Sequence, residues 1–106
     1  MGDEPEFLYL TTTGRRSDRP REIEIWFTRL NGRYYLIAED GARAGWVLNL
    51  RADSAVMVRV GGERFSGRAR VVDPATEPQL NAAARALSSA KYGWGDGLVV
   101  EITPED

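Results

Sequence analysis

The run REIEIWFTR at residues 21–29 sets Ile23, Ile25 and Phe27 on one side of an extended chain and Glu22, Glu24 and Trp26 on the other. A period of two would scatter these apolar residues around a helix, so the run reads as a strand with one buried face. Asn31-Gly32-Arg33 follows at once. Asn-Gly supplies the positive φ angles of a tight hairpin turn, which makes YYLIAE (34–39) the expected partner strand. The device recurs downstream: AVMVRV (55–60) and RFSGRARVV (64–72) flank Gly61-Gly62-Glu63, with Val56, Val58 and Val60 facing Phe65, Ala69 and Val71. FLYLTT (7–12) and LVVEI (98–102) read as a first and a last strand.

Two segments keep helical spacing instead. AGWVLNLRA (44–52) carries Trp46, Val47 and Leu50, and PATEPQLNAAARALSSAKY (74–92) carries a stripe of Leu80, Ala83, Ala84 and Leu87. Asp73 is an N-cap candidate for the second helix, although Pro78 suits a first turn and would start the helix there. With 106 residues the chain buries enough surface for one core and not for two. The expected architecture is mainly β with two helices (α+β): a six-stranded antiparallel sheet curled into a small barrel, helices plugging its ends. One domain is expected over 1–106, with loose ends at 1–6 and 104–106.

Against that frame the stretch YLTTTGRRSDRPRE (9–22) is anomalous. Between Thr11 and Arg21 the arginines at 15, 16, 19 and 21 face a single acid, Asp18, for a local charge of +3 in a chain whose net charge is −2. Guanidinium groups, hydroxyls and free N–H groups at a Gly-containing turn form a receptor for phosphate or carboxylate oxygens. The same residues would also serve as a solvated turn that keeps a strand edge soluble.

The missing residue types narrow the chemistry. Without Cys or His there is no thiolate nucleophile, no Cys-ligated zinc or iron–sulfur cluster, no imidazole base and no disulfide. No metal site is expected. No apolar run approaches the roughly 18 residues of a membrane span, and Met1–Glu6 is acidic where a secretory signal would be basic and then apolar, so a cytoplasmic location is expected. The 13 Arg against one Lys are read as codon bias of the kind a GC-rich coding sequence gives, and not as a sign of function. An acidic chain with one small basic patch is a poor match for a nucleic-acid partner.

Taken together, LTTTGRRSDRPRE, then IWF, then GWVLNLRAD resemble the deazaflavin-dependent nitroreductase and quinone reductase family, which uses coenzyme F420; the likeness runs from Leu8 to about Glu101. The resemblance implies a split β-barrel of the pyridoxamine phosphate oxidase type. It also implies a hydride transfer from reduced F420 to a quinone, nitro compound or similar small-molecule acceptor, in a homodimer. Arg16 and Arg21 are the implied phosphate ligands, supported by Thr13, Arg15 and Ser17. Trp46 and Asn49 lie on one helix face, as core residue and loop cap or as cofactor contacts; Trp26 covers a ring-shaped ligand or a dimer contact. Tyr92 and Trp94 fall where the family places aromatic residues near the reacting ring, or they serve packing alone. Glu39-Asp40-Gly41 stands where better-known members have Ser-Lys-Gly, with Arg43 the cation that could replace the lysine. The loop from Gly41 to Trp46 is shorter than theirs, and no counterpart of their N-terminal helical extension is expected. Two other readings stay open: an FMN-binding split barrel, and a non-catalytic module that holds deazaflavin or another polyanion.

Overall fold

The alternating run does not form one strand. In the computed structural model, which describes residues 4–105, it is divided at Phe27 into β2 (Pro20–Trp26) and β3 (Thr28–Leu30). Every residue of β2 pairs with β1 (Phe7–Thr13), from Phe7 opposite Trp26 to Thr13 opposite Pro20. Of the run, only the β3 part pairs with β4 (Arg33–Ala38), through Thr28, Arg29 and Leu30 across the Asn31-Gly32 turn. The sheet therefore has seven strands where the sequence suggested six. Alternation fixes which face of a strand is buried but not which neighbour it pairs with. The break is marked by two consecutive buried residues, Phe27 and Thr28, which no flat strand with one buried face contains.

After β4 come a short 3₁₀ turn (Gly41–Arg43), helix α1 (Gly45–Ala52), β5 (Ala55–Val60), β6 (Glu63–Val71), helix α2 (Pro78–Tyr92) and β7 (Leu98–Pro104). The strand order is β2-β1-β5-β6-β7-β4-β3. Two strands separated only by Phe27 thus lie at opposite edges of the sheet, which is feasible only if the sheet curls until its edges approach. The result is a split β-barrel. Its inner core gathers Leu8, Leu10, Phe27, Leu36, Val58 and Ile102, and α1 closes it with Val47 and Leu50.

The second helix does not plug the barrel. β4 and β7 are buried on both faces, so their outer residues Tyr35, Ile37 and Val99 need a cover, and α2 supplies it through Ala84 and Leu80. α2 begins at Pro78, in its first turn, and ends on Gly93 in the left-handed conformation. Asp73 caps the turn before the helix instead, its Oδ1 accepting the Ala75 N–H and its carbonyl the Glu77 N–H.

One carboxylate is buried beneath α2. Glu101, 3% exposed, accepts the Tyr35 hydroxyl at 2.7 Å and Arg70 Nε at 2.9 Å, and Arg70 forks onto Glu77 at 2.6 and 2.9 Å. Burial alone would raise the Glu101 pKa, but Arg70, Tyr35 and the charge of Arg33 outweigh it and hold the group below its ordinary value. Burial and Glu101 together push the Tyr35 phenol up to about 12.

Contacts hold the described residues next to both ends. Lys91 Nζ donates to Glu4 Oε1 at 2.8 Å and to the Pro5 and Phe27 carbonyls. Pro104 pairs with Gly67, and the Glu105 N–H donates to the Ser66 carbonyl. Of the ends expected to be loose, residues 1–3 and 106 lie outside the described residues.

Candidate active site

The arginine-rich stretch is the connection between β1 and β2. The Gly14 N–H donates to the Arg19 carbonyl at 2.8 Å, and the Asp18 N–H donates to the Gly14 carbonyl at 2.8 Å. Asp18 takes a left-handed φ of 58°, tolerable for this residue type, and so reverses the chain. Ser17 Oγ folds inward and accepts the Arg19 N–H at 3.2 Å. A Cβ at position 14 would stand 2.6 Å from that oxygen and 3.1 Å from the Arg19 carbonyl, so a side chain there would displace Ser17 Oγ from its inward position.

Helix α1 holds the turn from the barrel side. Asn49, 6% exposed, donates through Nδ2 to Thr12 Oγ1 at 3.1 Å. Its Oδ1 accepts both the Arg15 N–H at 3.2 Å and Arg15 Nη1 at 2.9 Å. Asn49 thus caps the loop, and it also lines the recess beside it. Among the described residues, Arg15, Arg16, Arg19 and Arg21 form no ion pair; the same is true of Arg29, Arg43, Arg51 and Arg64, so what sets the turn apart is that it gathers four such groups within seven residues. The turn borders a recess of about 380 Å³ lined by Thr12, Gly14, Arg15, Arg16, Ser17, Arg21, Trp46 and Asn49, among others.

A second, larger cleft of about 610 Å³ opens where the barrel is split. One wall is the far end of β2, with Glu24, Ile25 and Trp26; the other is β4 and the turn after it, with Ile37, Ala38, Glu39 and Asp40. β2 pairs only with β1, and β3 covers β4 only as far as Tyr35, so both walls carry strand edges without a partner on this side. Trp46 lines both recesses and also packs against the inner core, which makes it core residue and site wall at once.

Trp26 is 37% exposed, and its indole lies flat on Tyr92, centroids 4.3 Å apart and planes 5° from parallel. Trp94 meets it edge-on at 6.4 Å. The Tyr92 hydroxyl accepts the Phe27 N–H at 3.0 Å and lies 2.6 Å from the Glu6 carbonyl and 2.9 Å from the Phe27 carbonyl, either of which accepts its proton. Tyr92 thus braces the Trp26 side chain and the bend at Phe27 together, while Trp26 and Trp94 line the cleft.

Of the residues singled out in the sequence, Arg15, Arg16, Ser17, Arg21, Trp46 and Asn49 meet at the smaller recess, and Trp26, Trp46 and Trp94 at the cleft. Thr13, Arg43 and Tyr92 line neither. Thr12 takes the place expected of Thr13, because it shares the buried face of Leu8 and Leu10. Arg43 ends the exposed 3₁₀ turn, leaving Glu39 and Asp40 along the cleft. Tyr35 and Ser88 also line the cleft and were not foreseen; the continuous apolar run of β4 was the only sign that both its faces are covered.

The fold is a split β-barrel of the pyridoxamine phosphate oxidase type, with an arginine-rich turn beside an aromatic cleft. The family model for F420H(2)-dependent quinone reductase matches residues 2–97, and the chain belongs to that family. It is 34% identical over 73 residues to the F420H(2)-dependent quinone reductase Rv1261c of Mycobacterium tuberculosis, covering 66% of this chain and 49% of that protein. The chain thus spans about half the length of the curated relatives it matches. Among solved structures, an F420-H2 dependent reductase (FDR-A) superposes with a TM-score of 0.77 at 19% identity, covering 96% of this chain and 97% of the other. A protein of Listeria innocua provisionally described as a pyridoxamine 5′-phosphate oxidase gives 0.70 at 18% identity, covering 96% and 86%. These two likenesses establish the fold.

Proposed function

We propose that the chain is an oxidoreductase that uses coenzyme F420 to reduce a quinone, a nitro compound or a similar activated acceptor. When bound, the reduced deazaflavin supplies a hydride from carbon, so the protein needs neither nucleophile nor metal. The observation that carries the reading is the junction at Trp46 between a recess with unpaired guanidinium groups and a cleft with aromatic walls. Arg16 and Arg21 bind the phosphate. Asn49 holds Arg15 and the turn in place, and Gly14 leaves room for Ser17 to close it. Arg15 and Arg19 meet the carboxylates beyond the phosphate, while Trp26, braced by Tyr92, bounds the ring and limits its access to water.

A flavin that ends at a single phosphate would leave part of this cationic set unused, and a storage module would need no open cleft beside the ring. The reading places the protein in the cytoplasm; no helix among the described residues is long and apolar enough to cross a membrane. It also takes the working form to be a homodimer, the expectation drawn from the family resemblance. Light scattering tests that part.

The activity is tested by adding quinone to protein and reduced F420 and following the return of the oxidised cofactor's visible absorbance. Turnover well above the protein-free rate is expected. A rate equal to the protein-free control, under conditions where F420 is bound, would leave only a binding function.

A further inference from the structure

The two parts of the site carry opposite charge. Arg15, Arg16 and Arg21 line the smaller recess with no acid in its lining, whereas the cleft is lined by Glu24, Glu39 and Asp40 with no cation in its lining. Among the described residues none of these three carboxylates forms an ion pair; Glu24 accepts the Tyr9 hydroxyl at 2.6 Å. Glu39 and Asp40 are exposed, at the turn that Gly41 makes with a φ of 62°.

Resting on the oxidoreductase reading, we propose that the cleft selects its acceptor by charge. It takes uncharged and cationic aromatic quinones and nitro compounds and rejects those bearing a sulfonate or carboxylate, with Glu39 and Asp40 as the residues that set the preference. The aromatic walls attract a flat ring whatever its substituents, so they supply affinity without discrimination. The carboxylates supply the discrimination. A negative charge about 8 Å from one of them, in a water-like dielectric, is disfavoured about twofold, and three together disfavour it about tenfold. The effect is long-ranged at an ionic strength of about 0.01 M, where the Debye length is about 30 Å, and is screened at about 1 M. Segregated charge also orients the cofactor, since its anionic end is drawn to one recess and repelled from the other.

The test compares 1,4-naphthoquinone, its 2-sulfonate and a naphthoquinone with a quaternary ammonium side chain. Binding to cofactor-free protein is read from quenching of tryptophan fluorescence, and kcat/KM is measured with reduced F420. At low salt the neutral and cationic quinones should bind about tenfold more tightly than the sulfonate. The E39Q/D40N variant should narrow that gap to about twofold, and about 1 M salt should close it in the wild type. A sulfonate that binds as well as its neutral parent, or a gap that neither the variant nor salt changes, overturns the proposal. The quenching order kept without turnover of any acceptor supports charge selection while removing the hydride-transfer reading. Turnover of all three at equal kcat/KM does the reverse.

Discussion

Arg16 and Arg21 are the side chains on which the cofactor assignment rests most heavily, since both line the recess and neither is engaged by a carboxylate among the described residues. Replacing either with Ala should weaken F420 binding by about 1.5–3 kcal/mol, the range for a hydrogen bond to a charged group. The unfolding midpoint should hardly change, because these arginines hold nothing else in place. Titrations of both variants that overlay the wild type would show that the patch is a solvated turn. Tyr92 calls for a pair of substitutions. Tyr92→Phe keeps the ring on Trp26 but leaves the Phe27 N–H without its acceptor, costing about 1–3 kcal/mol of stability. Tyr92→Leu also loses the stacked pair, worth about 0.5–1.5 kcal/mol more. If Trp26 bounds the ring, F420 affinity falls in the Leu variant and much less in the Phe variant; equal affinities would confine Tyr92 to folding. At this scale the charged residues were legible and the polar contacts were not. The motif picks out Arg16 and Arg21, but only strand alternation carried on from Leu8 and Leu10 distinguishes Thr12 from Thr13.

At the scale of elements, hairpins announced themselves wherever a tight-turn dipeptide sat between alternating runs, as at Asn31-Gly32 and Gly61-Gly62, both of which adopt positive φ. The bend at Phe27 carried no such mark. It is imposed by tertiary pairing, with β1 taking all of β2 and leaving three residues for the hairpin with β4. The place of α2 was hidden for a related reason: its stripe shows which face is buried but not against what. What it covers includes the Glu101 network, and this yields a prediction. Glu101 is held below its ordinary 4.5, so its contribution is fully present above that value and is lost as pH falls through the lowered one. Tyr35 is raised from 10.0 to about 12, so its contribution is present below pH 10 and is lost as pH climbs between the two values. Urea midpoints should therefore fall at both ends, and Tyr35→Phe should abolish most of the alkaline fall. A variant that keeps the full alkaline fall would place the responsible group elsewhere.

For the molecule as a whole, curling the sheet is what creates the site. The step at Phe27 sends adjacent segments to opposite edges, the edges approach without joining, and the cleft is the gap between them. The turn at the other end of β2 gathers cations against a net charge of −2, and α1 fixes it through Asn49. The central claim is that gap and turn form one site for a ring with a long anionic tail. FMN ends at its phosphate, whereas F420 continues into several carboxylates, so only F420 can use Arg15 and Arg19 together with Arg16 and Arg21. Isothermal titration of both ligands at about 0.01 M and about 1 M salt tests this most directly. F420 should bind more tightly than FMN, with a lead that shrinks at high salt and under Arg19→Ala. FMN binding equal to or tighter than that of F420 would contradict the account.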